Sequence, residues 1–205
     1  MEKDIVYRSH VLVPVIDSKG KDLKFRDMLT YFTIRSYLNT KDKRCYPGIR
    51  AIAAKSKLSH RFVCESKNRL VLSGLIEDKD KVKKSYSFTE FTEFKSIPVD
   101  ILNEVELSPE EIALLIRIRQ YFLDPSFESI TPCKQIAENI GLTYETLKKY
   151  YDSLFDKGYI KPAIGKNLYA FTGLTDKFDW KVSDQVREYE EVRKKSKKTD
   201  VLLLK

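Results

Sequence analysis

The chain has 205 residues, of which 42% are hydrophobic and 33% charged. That is enough for two small domains at the usual ~100–200 residues each, it excludes a large multidomain enzyme, and no stretch approaches the ~20 apolar residues of a membrane span. The formal net charge of +8 excludes an acidic chain and asks where the excess sits, because a concentrated basic surface implies a partner whereas an even spread implies only solubility.

In chain order, the N-terminus MEKDIVYRSH has neither the apolar core of a secretory signal nor the Arg-rich character of a transit peptide, so a cytoplasmic protein without membrane contact is expected. Phe25, Met28, Leu29 and Phe32 then recur at helical spacing. A charged turn at KDKR (41–44) closes that pattern. Pro47 suits the first turn of a second helix, whose buried stripe is Ile49, Ile52 and Ala53. Ser59 can cap a third helix, with Val63 and Leu70 facing inward and Gly74 supplying its left-handed end. Leu75-Ile76, the basic turn EDKDKVKK and then SYSFTEF read as a hairpin.

The pattern then repeats at an offset of 84 residues. Ile34-Arg35 falls on Ile118-Arg119, Ile52-Ala53 on Ile136-Ala137, Leu58-Ser59 on Leu142-Thr143, Leu70 on Leu154, Gly74 on Gly158 and Ile76 on Ile160. Two copies of so long a unit predict two domains of one fold rather than a solenoid. Leu114, Leu115 and Ile118 mark the first helix of the second copy, Thr143 caps the third, Gly158 ends it, and YIKPAIGKNLYAF is its hairpin. Between the copies, FTEFKSIPVDILNEVELS contains Pro98 and the apolar Ile97, Val99, Ile101 and Leu102, which predicts a packed connector holding the domains in fixed relation. From Asp176 onward Phe178, Val182, Val186, Tyr189 and Val192 form a narrow stripe in a charged background, read as a tail helix that docks on its own domain or pairs with another copy. Leu202-Leu203-Leu204 reads as a short partner-binding plug or a disordered end.

The resulting division is 1–95, 96–173 and 174–205. Lys+Arg against Asp+Glu run 21 to 12, 8 to 11 and 9 to 7 in those three segments, so the basic excess lies in the first copy. Cys45, Cys64 and Cys133, with only His10 and His60 beside them, make no CxxC, HExxH or paired-ligand spacing. No disulfide framework, structural zinc, cofactor or catalytic centre is therefore expected. Tyr150-Tyr151 could suggest a strand-cleaving nucleophile, but no His-x-His site accompanies the pair and the repeat places it inside a helix, where packing is its role.

The turn between second and third helices wants a small residue, a residue able to take positive φ four later, and an apolar residue six after that. The second copy has Ala137, Gly141 and Leu147. The first has Ala53 and Val63 but Lys57 in the turn, where a non-glycine costs on the order of 1 kcal/mol.

The run YPGIRAIAAKSKLSHRFVCESKNRLVLSGLIE resembles the winged helix-turn-helix domains of phage replisome organisers, plasmid replication initiators and bacterial repressors. The resemblance covers roughly residues 25–90 and 108–172. It implies an α+β, mainly α fold of two tandem winged helices plus a charged C-terminal helix, with the third helix in the major groove of double-stranded DNA and the wing along the backbone.

On that reading His60, Arg61, Glu65 and Asn68 are groove candidates, with Arg69 on a flank and Ser59 at the helix start. Arg61 can fork to guanine, Asn68 can bridge adenine, and Glu65 can accept from cytosine or orient Arg61. Arg50, Lys55 and the wing lysines Lys81, Lys83 and Lys84 suit phosphates. In the second copy Thr143, Tyr144, Lys148, Lys149 and Lys166 are the corresponding candidates, but Glu145 and Asp152 share that face and the domain is net acidic, so phosphate repulsion opposes binding. A homodimer through the second domain or tail, and a replication or transcription partner protein, are the further partners expected. A replication initiator or accessory protein of a mobile element, a transcriptional repressor and a protein-interaction scaffold all fit the same physics. Tyr46-Pro47 at the opening of the second helix tilts the reading to replication.

Overall fold

The computed structural model describes residues 10–16, 22–39, 44–80, 85–91, 93–123, 126, 129, 131–161 and 173–180. A strand ahead of the first predicted helix, β1 (His10–Pro14), opens the described chain. The helix α1 (Asp27–Arg35) buries Met28, Leu29 and Phe32 as their spacing predicts, while Phe25 lies in the preceding turn and is only half buried. The helix α2 (Ile49–Ser56) starts after Gly48, whose extended backbone makes it the N-cap. Pro47 is therefore buried just ahead of that cap and not in the first turn.

Lys57 ends α2 with φ 57°, the left-handed conformation that this turn demands. The helix α3 (His60–Leu72) follows, its first turn capped by the Ser59 hydroxyl, which accepts from the Phe62 amide at 3.2 Å. Val63 and Leu70 are fully buried, and each contributes roughly 1.5–3 kcal/mol by leaving water. Gly74, at φ 71°, turns the chain so that the Leu75 amide donates to the Leu70 carbonyl. The hairpin β2 (Ile76–Asp80) and β3 (Ser85–Phe88) follows, with a bulge between Asp78 and Asp80.

The same order returns after β4 (Phe94–Pro98) and a 3-10 turn at Val99–Leu102. The helix α4 (Pro109–Ile118) opens with a capping box in which the Ser108 hydroxyl accepts from the Glu111 amide and the Glu111 carboxylate accepts from the Ser108 amide. After a second 3-10 turn (Arg119–Tyr121) come α5 (Cys133–Ile140) and α6 (Tyr144–Asp156), joined through Gly141 at φ 74° and the Thr143 cap. The strands β5 (Ile160–Lys161) and β6 (Gly173–Leu174) close the order. The architecture is thus α+β and mainly helical, with small two-stranded antiparallel sheets.

Three boundaries differ from the sequence reading. A division at 95/96 falls inside β4, whose partner is β1. The second hairpin does not close within YIKPAIGKNLYAF, because Ile160 pairs with Leu174 and Lys161 with Gly173; residues 162–172 lie outside the described residues. Residues 175–180 are turn and coil rather than the start of a tail helix. Phe178 is buried against the Tyr159 ring at 5.5 Å and Trp180 against Phe178 at 5.6 Å, so the second core extends beyond residue 173. The remaining stripe of Val182, Val186, Tyr189 and Val192, and the terminal leucines, lie outside the described residues.

The connector is packed, as its apolar residues predict: Ile97, Ile101 and Leu102 are buried. Its pairing reveals how the copies are related. With the offset of 84, β4 is the repeat counterpart of β1, and the two strands pair antiparallel with each other. Leu12 faces Ser96, its own counterpart; His10 faces Pro98, the counterpart of Pro14; and Pro14 faces Phe94, the counterpart of His10. Such self-complementary contact is what a two-fold axis between like units produces. The helices obey the same relation, since α1 packs on α4 and Arg26 forms an ion pair at 2.7 Å with its own counterpart Glu110. The copies therefore form a pseudo-dimer within one chain and share one continuous core.

Candidate nucleic-acid interface

The helix α3 is built so that one face closes the first core and the other stands clear. Val63, Ser66 and Leu70 are buried, and His60, Arg61 and Asn68 are exposed on the opposite side. Positions four and seven apart lie on one helical face, which places Arg61, Glu65 and Asn68 in a row. Arg61 Nε donates to Glu65 Oε1 at 3.0 Å while its side chain stays 90% exposed. That hydrogen bond, above all, holds the Glu65 carboxyl below the ordinary carboxylate range. Cys64 Sγ lies 3.8 Å from His60 Nδ1 along the same side. The arrangement presents a fork donor, an amide and an imidazole to solvent, with Glu65 orienting the guanidinium.

Arg69 departs from the sequence reading. It turns inward and forms a two-pronged ion pair with the fully buried Asp27, both nitrogen to oxygen distances being 2.7 Å. Such a fork binds a carboxylate in a fixed plane, and the guanidinium is spent on clamping α3 to α1 instead of facing a ligand. Lys55 is also engaged, for its ammonium donates to Ser36 Oγ at 2.9 Å and lies 4.5 Å from the Tyr37 ring centroid. Burial lowers its pKa. Arg50 is exposed near the start of α2. Lys67 donates to Asp78 at 3.0 Å and docks β2 beside α3. The wing lysines Lys81, Lys83 and Lys84 lie between β2 and β3, outside the described residues.

In the second copy the Thr143 hydroxyl is spent on its cap, accepting from the Thr146 amide at 3.2 Å. Tyr144 is half buried against the core. Lys148 is tied to Asp152 at 2.6 Å, and that hydrogen bond raises its pKa. Lys149 is exposed beside the exposed Glu145, and Lys166 lies outside the described residues. Tyr150 stacks on Phe25 of the first copy, ring centroids 6.3 Å apart, and the Tyr151 hydroxyl donates to the Lys161 carbonyl. Both tyrosines are thus packing groups. The outward face of α6 carries the Lys148–Asp152 pair, as that of α3 carries the Arg61–Glu65 pair.

The sequence reading missed a structural node that recurs in both copies. Asp27 accepts from the Lys24 amide and from Arg69; its counterpart Glu111 accepts from the Ser108 amide and from Ser153, the counterparts of Lys24 and Arg69. Lys157 adds two further donors to Glu111, at 2.7 and 2.9 Å. Burial opposes ionisation of Glu111, but the bonds from Lys157, Ser153 and Ser108 outweigh it and hold its carboxyl at about 2. The offset of 84, carried N-terminal of Ile34, aligns these residues and could have found them.

Among the described residues, no helix is long and apolar enough to cross a membrane. Against protein families, curated proteins and solved structures alike, the chain finds no match.

Proposed function

We propose that this chain binds double-stranded DNA sequence-specifically, as two tandem winged helix-turn-helix units followed by a charged C-terminal helix, with α3 as the reading helix. The observation that carries the reading is the outward face of α3. Its inner side is locked into the core by Val63 and Leu70 and by the Arg69 fork to Asp27, and its outer side presents His60, Arg61 and Asn68 to solvent. A helix packed on one side with exposed hydrogen-bonding groups on the other is what base-edge recognition in a major groove requires. The net positive count of residues 1–95 supports attraction to phosphate.

The process proposed is replication initiation, or an accessory step of it, on a plasmid, phage or other mobile element. It rests on the resemblance carried by residues 46–77, and a transcriptional repressor is the rival. Sequencing the DNA fragments that the protein retains from its host genome separates them, since an origin yields spaced repeats and a repressor yields a promoter. For the second unit, the net acidic count of residues 96–173 favours a docking or dimerisation role, the scaffold reading applied to half of the molecule.

The test compares two kinds of variant on the retained site and on random duplex. Arg61→Ala should lose about 1–3 kcal/mol on the specific site and little on random DNA. Lys83→Ala with Lys84→Ala should weaken both alike and flatten the salt dependence by about 0.9 in slope for each phosphate no longer neutralised. Equal losses on all sequences for Arg61→Ala would remove α3 as the reader.

A further inference from the structure

We propose that Lys57 is a positioning residue, tying the turn ahead of α3 to the segment that leads into α4, so that the second repeat sets the orientation of α3. The inference rests on the DNA-binding reading for its functional consequence, but its geometry stands apart from it. Lys57 is the one positive-φ residue other than glycine among the described residues, and its repeat counterpart is Gly141. A lysine in a conformation that favours glycine needs a compensating contact. Its ammonium supplies one by donating to the carbonyls of Glu104 at 2.5 Å and Leu107 at 3.3 Å, across the boundary between the repeats.

The segment it grips is held firmly from the other side. Lys157 donates to the Glu106 carbonyl at 2.9 Å and to the Glu111 carboxylate, Leu107 is buried, and the Ser108 capping box follows at once. Residues 104–107 therefore sit between a lysine from each repeat. The mate of this tether under the pseudo-two-fold would start from Gly141, which has no side chain to make it. The symmetry is broken at this point. The α2 to α3 turn is anchored to the other repeat, whereas in the α5 to α6 turn Gly141 has no side chain with which to return the contact.

Three full-length proteins decide it: wild type, Lys57→Gly, which keeps the backbone conformation and deletes the ammonium, and Lys57→Arg, which restores a long cationic donor. Hydrogen exchange on the free chain should show faster exchange in Lys57→Gly at residues 104–108 and also in the first turn of α3, at Phe62 and Val63, by about tenfold. Thr146 and Leu147 in α6 should not change. Its melting temperature should stay level or rise, since glycine relieves the backbone, and Lys57→Arg should restore the wild-type exchange pattern. On the retained DNA, Lys57→Gly should bind about fivefold more weakly, with random duplex unaffected. Exchange that rises only at residues 104–108, or affinity that falls in step with melting temperature, overturns the positioning role. If the wild type retains no DNA, the DNA reading falls while the exchange result still decides the tether.

Discussion

Arg69, read as part of a binding surface, instead serves the core through the buried Asp27. Its carboxylate is fully buried, and the Arg69 guanidinium satisfies both oxygens. Breaking such a pair from one side leaves a charge without compensation in a medium of low dielectric. Arg69→Ala should therefore destabilise the chain by about 3–5 kcal/mol in chemical denaturation. Asp27→Leu combined with Arg69→Met should recover most of that loss, because burying apolar groups in place of the pair removes the desolvation cost. A loss in Arg69→Ala below about 1 kcal/mol, the scale of an exposed pair, would show that the carboxylate reaches water. The sequence marks Arg69 only as a flank position of α3, because its partner lies 42 residues away and no local period connects them. Arg61, by contrast, was legible, since its outward direction follows from Val63 and Leu70 facing inward on the same helix.

At the scale of elements, Glu111 joins α4 to α6 through Ser153 and to the following turn through Lys157. Its folded pKa of about 2 lies below the ordinary value of 4.5. A group depressed in this way stabilises the folded state fully above its unfolded pKa, and the contribution is lost as pH falls through the folded one. The wild type should thus lose stability on this account between about pH 4.5 and pH 2. Glu111→Gln should be less stable at neutral pH by roughly 2 kcal/mol and should show a shallower fall across that window. Parallel pH profiles for the two proteins would contradict the assignment. Helices and caps were readable here because Ser59, Thr143, Gly74, Gly141 and Gly158 act on their own turns. The strand β1 and the return strand β6 were not, because a short strand carries little periodicity and is decided by the partner it finds.

At the scale of the whole molecule, the pairing of β1 with β4 bears on any DNA complex. A fragment ending at residue 95 would cut β4 between Lys95 and Ser96, so the contribution of each repeat is best measured in the intact chain. With residues 96–173 net acidic and residues 1–95 net basic, specificity should come from two chains, each reading through its α3. Footprinting at rising protein concentration should then show an inverted or direct repeat, with two chains per site by mass in solution. A single chain protecting two unlike half-sites about one helical turn apart, ~34 Å, would instead make α6 a second reader.

The sequence by itself determined the repeat, the three helices of each copy, their capping and turn residues, the inward and outward faces of α3, and the concentration of positive charge in the first copy. These properties are local, set by helical period, cap chemistry and composition, and they survive without knowledge of any distant partner. Only the tertiary structure decided that the copies face each other across a pseudo-two-fold axis, that Arg69 serves Asp27, and that Lys57 reaches into the second repeat. Each of those depends on which surfaces meet when the apolar faces of two similar units are buried together, and that choice rests on contacts between residues tens of positions apart.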